Sequence, residues 1–385
     1  MEVVIVHPLL EIGGGAEKLA IEMHRALAEM GFESRIATYY LDWERLAEVV
    51  GLLSPGFKPL IEARPLPPTA GIVDLLARAL TGDRLTRLRR ALLTGVLVKR
   101  IKREAGGDVV VDTASHVPTP VDVAYIHVPL ITPSGRRGFV WRSYETLLKR
   151  LADSVTGRPR LVLVNSSWTR AVFHSVYGDQ FRVEVVHPPV DVEYFESLDE
   201  KREKAIVTVS RFSPEKNLGK VVEVAGALRD YDFYIVGSAT RKGSRYAGYL
   251  KRLAEERGLW NVHVLPNLPR SRLRDLLRTA LFYLHPPYAE HFGLSVAEAV
   301  SAGAIPIVYR DGGAWFDIVS RISPALGYTE VGEVPSIVRR VEEDPALARA
   351  LRERGLSVVR GFDFESFKKR LSKAFLSCCP PARGS

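Results

Sequence analysis

Short runs of β-branched apolar residues recur along the chain, separated by longer segments in which apolar positions return every three or four residues. Residues 3–6 form the first run. Glycines follow at 13–15, and then Leu19, Met23, Ala26 and Leu27 mark one face of a helix predicted over 17–30. Further strands are predicted at 34–39, 108–112, 123–127, 161–165 and 182–186. The pattern breaks at 187–204, where His187-Pro188-Pro189 leads into a charged segment. It then restarts, with strands at 205–210, 232–236, 262–265, 281–285 and 305–309. Helices are predicted at 217–228, 246–257, 270–279, 295–302 and 364–376. Strands alternating with helices argue for an α/β fold with parallel sheets. Two such halves predict two Rossmann-like domains facing across a cleft, an N-terminal one over 1–190 and a C-terminal one over 191–363. A last helix, 364–377, is expected to pack back on the first domain. Ligands of such sheets bind at the carboxyl ends of the strands.

Composition narrows the classes. The chain of 385 residues exceeds one ordinary core and fits two domains of about 150–200 residues each. No apolar run approaches the roughly 18–20 residues that span a bilayer, and the opening Met-Glu-Val-Val-Ile-Val has no basic lead, so a cytoplasmic protein is expected. The adjacent Cys378 and Cys379 lack metal-ligand spacing and read as an ordinary tail, with lipidation the alternative. The net charge of +9 favours polyanionic partners such as phosphates or an anionic membrane. No base-stacking platform accompanies that charge, so nucleic acid is not expected. Scarce glutamine and asparagine beside abundant Arg and Glu resemble a thermophile's composition.

Four constellations sit at predicted strand ends. Gly13-Gly14-Gly15-Ala16-Glu17 opens a helix, where backbone amides favour anions, although a structural turn explains it equally well. In Ser210-Arg211-Phe212-Ser213-Pro214-Glu215-Lys216, two cations five residues apart converge on a predicted helix start and suit a diphosphate. In the segment from His285 to Ala299, Glu290 and Glu298 are eight residues apart, one in a loop and one in the first turns of a helix. Carboxylates accept hydrogen bonds from vicinal hydroxyls, so sugar and ribose are their natural partners; complementing the helix dipole is the alternative role for Glu298. Tyr125-Ile126-His127-Val128-Pro129 places a histidine at a strand end. Residues 84–103 carry eight Lys/Arg and no acid among regularly spaced leucines and valines. That stretch predicts a helix lying on an anionic membrane or, equally, one packed on the core. Asp230-Tyr231-Asp232 matches a metal-binding pattern but precedes a strand, so it reads as a turn and no catalytic metal is expected.

The glycine loop, Arg211 with Lys216, and Glu290-His291-Phe292-Gly293 with Glu298, in this order, resemble the retaining glycosyltransferases of family 4, which have the GT-B fold. Within that family the chain is similar to the dolichol-linked-oligosaccharide α-1,2-mannosyltransferases. The residues carrying this are His7-Pro8, Tyr125–Pro129, Asn165-Ser166-Ser167-Trp168, Pro188-Pro189-Val190-Asp191 and Asp311-Gly312-Gly313 with Asp317. The resemblance implies that Arg211 and Lys216 hold the donor diphosphate and Glu298 the ribose. Glu290 would bind the transferred sugar, His127 would contact it near the reacting carbon, and Phe292, Gly293 and Leu294 would offer backbone amides. Gly14 and Gly15 would line the diphosphate. It implies a nucleotide-diphosphate sugar as co-substrate, GDP-mannose first and a UDP-sugar second, no separate cofactor, and a glycan or lipid-linked acceptor. A family member with a soluble acceptor, a sugar-nucleotide epimerase and a non-catalytic nucleotide-sugar-binding protein are the alternatives. Residues 42–105 carry no part of the likeness.

Overall fold

Alternate side chains of a strand point to opposite faces of its sheet, and the first strand, β1 (Glu2–Val6), separates its own cores in this way. In the computed structural model Val3 and Ile5 join one buried cluster, and Val4 and Val6 another. The structure describes residues 2–380 except 12–13, 45, 48–56, 69–70, 72–73, 76–82, 105–107, 131–145, 147–148, 198–200, 240 and 287; the side chains of 83–86 and 241 are also left undescribed. Packing divides the chain into two units, Met1–Pro189 with Phe364–Ser385, and Val190–Asp363.

Unit 1 holds β1, the two-residue β2 (Leu9–Leu10) and β4 (Tyr40–Leu41), β3 (Glu33–Thr38), β5 (Ile61–Ala63), β6 (Val109–Asp112), β7 (Val123–Ile126), β8 (Leu161–Val164) and β9 (Val183–Val185). Seven of them form a parallel sheet in the order β5-β3-β1-β6-β7-β8-β9. The helix α1 (Gly15–Glu29) and the C-terminal helix Phe364–Leu376 cover the face of Val3 and Ile5. The other face is covered by α2 (Asp83–Glu104), through Leu97, Val98 and Ile101.

That placement decides between the two readings of the apolar stripe of 84–103, which packs on the core. The apolar stripe that would enter a bilayer is buried: Leu88, Ala91, Leu93 and Leu97 are at most 7% exposed. Among its arginines, Arg89 pairs with Asp74, Arg90 with Glu17 and Arg100 with Glu104. A sheet and a bilayer demand the same stripe, so spacing alone could not separate them. No described helix is long and apolar enough to cross a membrane. The cysteines do not form a loose tail either, because Cys379 lies in the α1-side core with Cys378 against it.

Buried histidines make unit 1 acid-sensitive. His24 of α1 donates from Nδ1 to Ser34 Oγ (2.7 Å) and accepts from the Leu60 amide at Nε2 (3.0 Å), so the ring must stay neutral. Burial lowers its pKa from 6.5 to about 4. The unfolded chain therefore binds more protons between those values. Stability is fully present above about pH 6.5 and falls as pH drops to 4, by about 3 kcal/mol for this group. His24→Gln is expected to flatten the fall of Tm over that window; an unchanged slope would remove His24 as its source.

Unit 2 is a second parallel sheet, β12-β11-β10-β13-β14-β15. Its strands are β10 (Glu203–Val209), β11 (Asp232–Gly237), β12 (Val262–Pro266), β13 (Ala280–His285), β14 (Ile305–Tyr309) and β15 (Gly327–Tyr328). Among its helices are α3 (Gly219–Ala227), α4 (Arg270–Thr279) and α5 (Leu294–Ser301). A further helix, predicted at 246–257, begins earlier, at Arg241. The order runs outward one way from β10 to β12 and the other way from β13 to β15. The direction of winding therefore switches between β10 and β13, where an open α/β sheet opens a crevice at its strands' carboxyl ends. The same switch falls between β1 and β6 in unit 1.

Candidate functional site

At the switch point of unit 2 the ends of β10 and β13 bring the predicted cations and carboxylates together. Beyond Val209 the chain runs close beside β11: a Cβ on Gly237 would lie 1.7 Å from the Ser210 carbonyl oxygen. Phe212 is buried and its amide donates to Ser238 O (3.1 Å), which anchors the loop and leaves Arg211 exposed at the strand end. The helix predicted from 217 starts later. Pro214–Lys216 form one 3-10 turn, Asn217 takes the left-handed conformation (φ 52°), and α3 begins at Gly219. Lys216 thus precedes the helix instead of opening it, and the turn aims its ammonium at Glu290 Oε2, 2.9 Å away.

Glu290 is held by its backbone as well as its side chain. Gly313 N donates to Glu290 O (2.6 Å), and Glu290 bridges Gly312 in parallel fashion. Gly312 sits at φ 89°, and a Cβ there would come within 2.4 Å of Glu290 O. His285 donates from Nε2 to Glu290 Oε2 (3.3 Å). Burial pushes the Glu290 carboxyl up, but the Lys216 ammonium, His285 and His291 outweigh it and hold it well below the ordinary carboxylate range. The hydroxyl of Tyr283 lies 2.9 Å from Ser295 Oγ and 3.1 Å from Val209 O, tying the start of α5 to the end of β10. Burial raises its pKa.

Helix α5 starts after Gly293, which is left-handed (φ 92°) and closes on Ala314. The Phe292 ring is buried against Phe362, so this residue anchors the turn Phe292–Leu294 at the helix N-terminus. Glu298 is the fifth residue of α5, within its first two turns as predicted but beyond the first, where a helix dipole acts most strongly. Its Oε1 accepts from Arg270 Nη2 (3.1 Å), and the same nitrogen donates to Asp191. Sequence reasoning missed Arg270, Asp191, Tyr283 and His285 as site residues. Tyr283 and His285, two apart on one face of a strand that ends in the crevice, carried a signal that could have found them, as did the Pro188–Asp191 motif for Asp191; Arg270 carried none.

The predicted residues of unit 1 lie at its own switch point. His7, just after β1, engages Thr113 Oγ1 through Nδ1 (2.9 Å), and His127, just after β7, engages Thr113 O through Nε2 (3.1 Å). Burial, with Arg90 and His127 nearby, keeps His7 neutral. The glycine loop departs from expectation. The Gly14 amide, expected to face a diphosphate, donates to Glu17 Oε2 (3.0 Å), so the helix supplies its own carboxylate there. Glu17 in turn pairs with Arg90 (3.1 Å). Gly15, the first helical residue, is exposed; Gly13 lies outside the described residues.

Asp230 pairs with Arg339 and Lys204, and Asp232 with His263 (2.9 Å), at the amino end of β11. Among the described residues no group of three or more His, Cys, Asp or Glu is placed to hold a metal ion.

Residues 13–194 match the family Glycosyltransferase Family 4, and residues 191–323 match Glycosyl transferases group 1. The GDP-Man:Man(3)GlcNAc(2)-PP-Dol alpha-1,2-mannosyltransferase of Homo sapiens is 29% identical over 205 residues, covering 48% of this chain and 39% of that protein. The Neurospora crassa protein of the same name is 24% identical over 387 residues, covering 82% and 68%. The chain thus spans less than half the length of the human relative. The crystal structure of Anabaena HepE in complex with UDP and glucose superposes with a TM-score of 0.70 at 15% identity, over 98% of this chain and 100% of that one. This is a likeness of fold, and the fold is GT-B.

Proposed function

The chain belongs to the family 4 glycosyltransferases, and we propose that it moves a hexosyl unit, mannose from GDP-mannose in the first instance, onto a hydroxyl of a lipid-linked glycan. The observation that carries this reading is the Lys216–Glu290 pair at the switch point between β10 and β13. An ammonium for phosphate and an ionised carboxylate for sugar hydroxyls stand there within one hydrogen bond of each other. Arg211 adds an exposed guanidinium with no partner among the described residues, suited to forking onto phosphate oxygens. Glu298, further along α5, takes the ribose, and the turn Phe292–Leu294 presents its amides to phosphate or sugar.

The chemistry follows from charge. As the sugar–oxygen bond breaks, negative charge grows on the diphosphate and positive charge on the sugar ring. Fixed cations stabilise the first. The acceptor hydroxyl attacks from the face the nucleotide leaves, and the departing phosphate oxygen takes its proton. Configuration is then retained without a carboxylate nucleophile of the glycosidase kind. In unit 1, Gly15 and His127 are assigned to the diphosphate and the transferred sugar. Lys99, Lys102 and Arg103, on the exposed end of α2, are the cations assigned to an anionic membrane surface.

Calorimetric titration with GDP, UDP, ADP and their mannose or glucose conjugates tests the reading. One base-selective ligand is expected to bind in EDTA, because Arg211 and Lys216 supply the neutralising charge. Binding that appears only with added divalent metal would overturn the metal-independent part. Failure of every nucleotide, with and without metal, would overturn the donor site.

A further inference from the structure

We propose that Arg270 is a positioning residue that fixes Glu298 in the attitude from which it binds the donor's ribose diol, with Asp191 as the counter-carboxylate. The proposal rests on the ribose role assigned to Glu298 above.

Arg270 is the first residue of α4, preceded by the extended Pro269. Its guanidinium lies over the rings of Tyr194 and Phe195, with centroids 5.6 and 5.1 Å away. A cation held over two rings is fixed before any ligand arrives. One nitrogen, Nη2, then donates to two carboxylates, Asp191 and Glu298. Those carboxylates would repel each other without it. Burial alone would make the guanidinium easier to deprotonate, but Glu298 and Asp191 reverse that.

The division of labour within Glu298 follows from the same geometry. Oε1 accepts from Arg270 at 3.1 Å, while Oε2 has no hydrogen-bond partner among the described residues. One oxygen is anchored and the other remains to accept from hydroxyls. An unanchored glutamate would have to order its own rotamers on binding, which costs free energy that Arg270 removes beforehand. Lysine at this position would keep the charge but not the flat fork that lies over the rings and bridges.

A residue that only braced the segment around Asp191 against α5 would weaken every ligand alike. A positioning residue acts on the diol alone. The test is therefore the Kd of GDP against that of 2′,3′-dideoxy-GDP, by calorimetry, in wild type, R270A, R270K, E298A and R270A/E298A. If wild type binds UDP more tightly, the UDP pair replaces them. Wild type is expected to favour the intact ribose by about 10–100-fold, the strength of hydrogen bonds to a charged group. R270A and E298A should each bring that preference to within about threefold and leave the dideoxy affinity nearly unchanged; the double variant should be no worse than E298A, because the two act as one unit. R270K should fall between wild type and R270A, and it carries the test should R270A fail to fold. Equal weakening of both nucleotides in R270A and R270K, or a preserved preference, would overturn the proposal while leaving Glu298 in place. A wild type without any preference for the diol would overturn the ribose role of Glu298, and this proposal with it.

Discussion

Replacing Lys216 with alanine is expected to lower kcat by about 10²–10³-fold, the loss seen when one preorganised donor is taken from a developing oxyanion. The Kd of the nucleoside diphosphate should rise by less than about tenfold, since on the proposed reading Arg211 and the α5 turn would still contact it. The argument runs through Glu290. Lys216 Nζ stands 2.9 Å from Glu290 Oε2 and is the strongest of the influences keeping that carboxyl ionised. Without it, burial is opposed only by His285 and His291, and the carboxyl's pKa rises. A raised pKa means the neutral form gains ground as pH falls. The residual activity of K216A should therefore decline on the acid side at a higher pH than that of wild type. K216R, which keeps the charge, should shift that limb less. An undiminished kcat in K216A would remove Lys216 from the site, and an unmoved acid limb would remove Glu290 from the reaction.

How far the site was legible depends on what each residue needs in order to be seen. The buried strands at 3–6, 109–112, 123–126, 161–164 and 205–209 announce themselves as β-branched runs, because a strand covered on both faces tolerates little else. The three-residue β5 carries no such run and was not predicted. The positions of Glu290 and Lys216 at strand ends could be read from the order of elements. Their contact could not, because it depends on a 3-10 turn and a left-handed asparagine that a helical reading of 217–228 passes over. Arg270 was invisible for a stronger reason. It lies 28 residues from Glu298 and 79 from Asp191, and only the packing of α4 and α5 against the short helix Val192–Phe195 makes them neighbours. The internal hydrogen bond of the Gly14 amide was not foreseen, because a carboxylate three residues into a helix can satisfy the same donor that a phosphate would. In α2 the pattern was right and left its solvent open: Leu97 and Ile101 face a sheet.

A large effect from a single methyl group is expected at Gly312. Gly312→Ala adds a Cβ where φ is 89° and where Glu290 O would be 2.4 Å away. The first feature costs about 1–2 kcal/mol for any side chain in the left-handed region. The second is specific to the site. The Glu290 backbone is clamped by Gly313 N at 2.6 Å and bridged to Gly312, so the chain can relieve the clash only by moving Glu290 or breaking the clamp. A displacement of about 1 Å at a reacting group costs on the order of 10²-fold in rate, and G312A is expected to lose at least that in kcat. Gly258→Ala separates the two contributions, since Gly258 is also left-handed (φ 61°) but has nothing within 4 Å of the added Cβ. It should lower Tm through the backbone term alone and leave kcat unchanged. If G312A kept kcat within about threefold of wild type, the 311–313 loop would not be what holds Glu290 against Lys216. The carboxylate's position would then have to come from Lys216 and His285 alone, and K216A would be expected to misplace Glu290 as well as to uncharge its surroundings.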